Sequence, residues 1–178
     1  GQIEEWASTA AEKFGQSKNQ AMDAASTFAI FGRSAGLAGN DLVQFSTQFT
    51  ELASDLASFN NTTPEDAIVA LGAAMRGEME PIRRYGVLLD DASMRQKALE
   101  MGITNSINKA LTPQQKVLAA SALIMEQTTA AQGDFERQSE GLANMQRILK
   151  AEITDMATEL STAFLPIAQQ VVGFVREK

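Results

Sequence analysis

Apolar residues recur every three or four positions along most of this chain, a spacing that places side chains on one face of an α-helix. Three such stripes occupy the first sixty residues: Ile3, Trp6, Ala7, Ala10 and Phe14; Met22, Ala25, Phe28, Ala29 and Gly32; and Leu42, Phe45, Phe49, Leu52, Leu56 and Phe59. The pattern predicts an all-α fold of amphipathic helices, arranged as a multi-helix bundle or array.

Polar residues and prolines mark the expected helix starts. Thr63-Pro64 and Thr112-Pro113 each combine a capping hydroxyl with proline at the first helical position, and Gln115 completes a capping box. Asn40 or Asp41 is expected to cap the third stripe, and Asp90 or Asp91 a later helix. A turn is predicted from Gly32 to Gly39, and helix ends are predicted at Gly15, Gly77, Gly86 and Gly102.

The last apolar stripe is the longest, and it predicts one helix of about thirty residues. Its members are Leu142, Met145, Leu149, Ile153, Met156, Leu160, Phe164, Ile167, Val171 and Phe174. We expect a module of about six helices over residues 1–132 and this long helix within 133–178, kinked at Pro166. The stripe either packs on the Leu42–Phe59 helix or pairs with a partner such as another copy. The second alternative follows from length, because a helix of ~45 Å is longer than a compact domain of ~30 Å.

Composition agrees with helices, since 28 Ala stand against 7 Val. Fifteen basic and 22 acidic residues give a net charge of −7, which disfavours nucleic-acid binding. The longest apolar run, residues 117–125, is shorter than the ~18 residues that span a bilayer, so no membrane span is expected. The chain starts at Gly1 without a methionine or a signal pattern, and we interpret it as a piece of a longer protein.

Candidate chemistry is sparse. The chain has no His and no Cys, and it has no phosphate-binding glycine loop or calcium loop. Three carboxylate pairs could in principle act as acid and base; they are Glu65 with Asp66, Glu78 with Glu80, and Asp90 with Asp91. First-turn acids and turn residues explain these pairs better. We therefore predict no catalytic, cofactor or metal site, and no enzyme.

Three blocks in fixed order carry a family resemblance that covers roughly residues 46–166. They are residues 58–87, with Thr63-Pro64-Glu65, Leu71-Gly72, Arg76-Gly77-Glu78, Glu80-Pro81 and Gly86-Val87; residues 111–116, with Gln114-Gln115-Lys116; and residues 131–135, with Gln132-Gly133-Asp134-Phe135. In these blocks the chain resembles phage tail tape measure proteins. The matching residues are those expected at corners and caps.

This resemblance implies a structural segment of a phage or prophage tail protein that sets tail length and templates the tail tube. It implies a location in the virion tail after assembly in the host cytoplasm, with tail tube protein and tail assembly chaperones as partners. Two alternatives remain open: a peptidoglycan-degrading helical domain of a tail protein, since some members of the family carry such domains, and a bacterial helical adaptor unrelated to phage.

Overall fold

The computed structural model describes residues 1–138, 147–148, 151–152 and 155. Over these residues the chain forms helices and no strand, which confirms the all-α prediction. The helices are α1 (Gln2–Ser8), α2 (Ala10–Phe14), α3 (Lys18–Ser34), α4 (Gly39–Asn60), α5 (Pro64–Met75), a 3₁₀ helix (Pro81–Tyr85), α6 (Asp91–Glu100), α7 (Pro113–Gln127) and α8 (Asp134–Arg137).

The main core lies among α3, α4, α5, the 3₁₀ helix, α6 and α7. Helix α5 contacts α3, α4, the 3₁₀ helix and α7, and α4 packs against both α3 and α5. The largest side chains enclosed there include Phe28, Leu56, Leu71, Ile82 and Ile124. The predicted apolar face of α4 contributes Phe49, Leu52 and Leu56 to this core, whereas Phe59, at the end of the stripe, is 51% exposed.

A second, smaller core lies on the other side of α4. Its buried members are Ala7, Ala10, Phe14, Ala21 and Phe135, with Trp6, Met22 and Ile148 packed around them. It joins α1 and α2 to the start of α3, to α8 and to one residue of the C-terminal segment. Trp6 stacks on Phe14 with 5.2 Å between ring centroids.

Three predicted helix caps are confirmed. The side chains of Thr63, Asp90 and Thr112 accept hydrogen bonds from backbone N–H groups in the first turns of α5, α6 and α7. The prediction that Asn40 or Asp41 caps α4 is wrong. The cap position is Ala38, and the helix starts at Gly39, whose φ of 57° glycine adopts at little cost.

Two other boundaries differ from the sequence prediction. The first stripe is divided at Thr9, whose hydroxyl donates to the Trp6 carbonyl and competes with the helical backbone bonds. Gly32 lies inside α3 instead of opening the turn. A Cβ atom there would come within 2.7 Å of a Leu42 methyl group, so this glycine lets α3 approach α4 closely.

The long C-terminal stripe from Leu142 to Phe174, and the predicted kink at Pro166, lie outside the described residues. The described positions of that segment contact the rest of the protein: the Arg147 guanidinium donates to the Thr62 carbonyl at 2.6 Å, and Asp155 accepts from the Lys18 backbone N–H at 2.7 Å. Ala151 is buried. Asp155 therefore makes contact at the start of α3, and Arg147 makes contact just before α5.

Side chains fasten the connections between α5 and α7. The Gln127 side-chain amide donates to the Leu88 carbonyl and accepts from the Leu88 N–H, at 2.9 and 2.8 Å. The hydroxyls of Tyr85 and Thr62 share a hydrogen bond of 2.9 Å. Lys97 of α6 pairs with Glu126 of α7, and this hydrogen bond raises the pKa of Lys97.

Candidate functional site

The residues that carry the family resemblance lie at the corners of the fold. Thr63 and Pro64 start α5, and Gln115 belongs to the capping box of α7. Gly77, Gly86 and Gly133 have φ of 96°, 81° and 82°, a region that non-glycine residues rarely adopt. The expectation that these blocks supply caps and corners is confirmed at these positions.

One of the three blocks, residues 131–135, is held by a distant carboxylate. Asp55 in the last third of α4 accepts the Gly133 N–H on one oxygen, at 2.9 Å, and the Phe135 N–H on the other, at 3.1 Å. Both donors are at or near the start of α8, where backbone N–H groups have no helical partner. Asp55 therefore caps a helix that lies 78 residues away along the chain.

Asp134 completes this junction and is almost fully buried. Its side chain accepts the Ser58 hydroxyl at 2.7 Å and the Gln138 amide at 2.9 Å. The Arg137 guanidinium reaches back to the carbonyls of Gln132 and Ala130, which lie in the turn that follows α7. Side-chain bonds to α4 and to this turn thus fix the position of α8.

An acidic cleft opens beside the same junction, between α2, α4 and α8. It has a volume of about 650 Å³, and its lining residues are Glu12, Lys13, Phe14, Glu51, Asp55, Gly133 and Glu136. Burial raises the pKa of both Glu51 and Asp55, and it is the largest influence on each. Glu51 also accepts the Trp6 indole N–H at 3.2 Å, which opposes that shift.

A buried glutamine lies between the cleft and the core. The Gln16 side-chain nitrogen donates to the Thr50 carbonyl and to the Ser54 hydroxyl, at 2.9 and 2.8 Å. Its side-chain oxygen has no hydrogen-bond partner within the described part of the chain. The layer between α2 and α4 is therefore polar and only partly satisfied.

The carboxylate pairs considered from the sequence lie elsewhere and are exposed. Glu65 and Asp66 occupy the first turn of α5. Asp90 is the cap of α6, and the Ser93 backbone N–H lowers its pKa. Glu78 and Glu80 pair with neighbouring arginines, Arg76 and Arg83.

Glu51, Asp55 and Ser58 were not singled out from the sequence, whereas Phe14, Gly133, Asp134 and Phe135 were, as members of the first stripe and the third block. Glu51, Asp55 and Ser58 repeat at helical spacing on the polar side of the α4 stripe, which was a signal for a second packed face. The residues that they contact are tens of positions away in the sequence, so the helical spacing does not predict which residues these are.

Among residues 1–138 and the few described beyond them, no group of three or more carboxylates is placed to hold a metal ion. Within the same residues no helix combines the length and the apolar character that crossing a membrane requires. No protein-family model, curated protein or solved structure matches this chain.

Proposed function

We propose that this chain is a structural segment of a phage or prophage tail tape measure protein, acting in tail-length determination and tube assembly in the virion tail. The observation that carries the proposal is the order of the three sequence blocks, residues 58–87, 111–116 and 131–135. Their residues supply helix caps, tight turns and the α8 junction, which supports a structural role for them.

The partners that fit this proposal are the tail tube protein, tail assembly chaperones and other copies of the chain. The C-terminal stripe from Leu142 to Phe174 is our proposed binding surface for them. Light scattering tests self-association: chains that end at residue 141 and at residue 178 should differ in oligomeric state. Equal states of association at both lengths would remove the stripe from the proposal.

Sequencing the DNA that flanks the gene tests the proposal most directly. Genes for tail tube subunits and tail assembly chaperones should lie beside it. Flanking genes with no relation to tails would contradict the tail function, and would favour the alternative of a bacterial helical adaptor.

A peptidoglycan-degrading domain is the second candidate, and the acidic cleft is the observation that favours it. Glu51 and Asp55 are carboxyls with raised pKa values in a cleft, which is a property of general acids in glycoside hydrolysis. Their hydrogen bonds argue for structural roles instead, because both oxygens of Asp55 accept backbone N–H groups and Glu51 accepts from Trp6.

A turbidity assay on purified cell walls separates these two functions. The structural segment should leave the suspension unchanged. Clearing by the wild-type chain that is lost in a correctly folded Glu51→Gln variant would establish the lytic function and overturn the structural one.

A further inference from the structure

The two apolar cores differ greatly in size. Over the described residues the main core contains 22 buried members, including Phe28, Leu56 and Leu71, whereas the second core contains five, of which three are alanines. Because apolar burial stabilises in proportion to the area removed from water, the second core holds its elements with far less free energy.

The layer that separates the cores is polar. Gln16, Thr50 and Ser54 form a buried hydrogen-bonded group there, and Asp55 lies one residue further along α4. The Gln16 side-chain oxygen has no partner among the described residues, and an unsatisfied buried acceptor costs free energy. This layer therefore contributes little to the free energy that holds the second core against the main core.

Individual hydrogen bonds fasten the remaining parts of the second core. Asp55 holds the start of α8, Arg147 donates to the Thr62 carbonyl, and Asp155 accepts from the Lys18 N–H. Gly15 completes the fit, since a Cβ atom there would come within 2.6 Å of the Phe135 ring. We call α1, α2, α8 and residues 147, 148, 151 and 155 the clasp.

We propose that the second core comes apart, so that the elements of the clasp separate from one another and from α3–α7 while the main core stays folded. Local units of low stability open in this way in many proteins. Opening breaks the bonds of Asp55 to Gly133 and Phe135, so it releases α8 from α4. It also exposes Phe14 and Phe135. The fold thus contains a release point between α4 and α8.

The chain carries its own probe for this event. Trp6 is the single tryptophan, it is half-buried and it belongs to the clasp. Far-UV circular dichroism reports mainly on the main core, because α3–α7 contain most of the described helical residues. In a urea titration of the full 178-residue chain, Trp6 fluorescence should change at a midpoint roughly 1 M below the circular dichroism midpoint.

Hydrogen exchange gives an independent measurement on the unmodified chain. The amides of Gly133 and Phe135 should have protection factors at least about tenfold lower than those of Ala53 and Leu71, which lie inside α4 and α5. The exchange of Gly133 and Phe135 should also depend less steeply on urea than that of Ala53 and Leu71, because opening of the clasp exposes less surface than global unfolding.

Two matched phenylalanine truncations complete the test. Phe135→Ala should lower the Trp6 midpoint and leave the circular dichroism midpoint unchanged, whereas Phe49→Ala in the main core should lower the circular dichroism midpoint and bring it closer to the Trp6 midpoint. Coincident Trp6 and circular dichroism midpoints in the wild-type chain would overturn the proposal. So would a Phe135→Ala chain in which both midpoints fall together or the helical signal is lost.

Discussion

Replacing Asp55 with alanine removes the carboxylate that caps α8 from across the fold. Two backbone donors, the N–H groups of Gly133 and Phe135, then lose their acceptor. A hydrogen bond to a charged group contributes about 1.5–3 kcal/mol, and release of the half-buried carboxylate offsets part of the loss of two such bonds. We expect the α8 junction to lose about 2 kcal/mol of stability, which is roughly a 30-fold change in its opening equilibrium.

Amide hydrogen exchange measures this loss where it occurs. The amides of Gly133 and Phe135 should exchange about 30-fold faster in Asp55→Ala than in the wild-type chain. Gln48→Ala is the matched control, since Gln48 is an exposed residue two turns earlier on α4 and surface changes shift stability by only about 0.5 kcal/mol. Exchange in Asp55→Ala within a factor of two of wild type would refute the assignment of Asp55 as the α8 cap.

Three further predictions concern other parts of the fold. Thr112→Ala removes the capping box of α7 and should lower the free energy of unfolding in urea by about 1 kcal/mol, whereas Thr112→Ser should retain most of it. Tyr85→Phe removes the hydroxyl that shares a hydrogen bond with Thr62, and it should lower the free energy of unfolding in urea by about 1 kcal/mol. An unchanged free energy of unfolding would show that this bond does not stabilise the fold. Burial raises the pKa of Glu51 and Asp55, so each anion costs stability above its folded pKa and the cost disappears as the pH falls through it. Between neutral pH and 4.5, the ordinary pKa of glutamate, the contribution of these two groups to the free energy of unfolding should therefore increase as the pH falls, and a Glu51→Gln/Asp55→Asn chain should lack that increase.

Local features of this fold were readable from the sequence because their causes are local. Thr63 and Thr112 each cap a helix through a backbone N–H three residues later, so a short stretch of sequence contains both partners. The same holds for the α4 stripe, whose spacing of three and four is a property of the helix itself. At Ala38 this reasoning failed, because a glycine conformation determined the helix start instead of a polar side chain.

The α8 junction and the acidic cleft were not readable in this way. Asp55 is 78 residues from Gly133 in the sequence, and Gln16 is 34 and 38 residues from Thr50 and Ser54. These residues are brought together by the packing of α4 between two layers. Phe59 shows the same limit: it keeps the helical spacing of the stripe, yet it lies at the end of α4, where the described residues leave half of its side chain exposed. Contacts between distant segments depend on the packing arrangement, which spacing alone does not specify.

The pairing of Gln127 with Leu88 has a consequence for how copies of this chain behave beside one another. Residues 87–89 are three consecutive apolar residues outside any helix, and the Leu88 side chain is 65% exposed. A free backbone N–H and carbonyl in extended chain can bond to an extended segment of another molecule. Gln127 occupies both the N–H and the carbonyl of Leu88, so these two backbone groups are closed to other molecules by a side chain of the same chain.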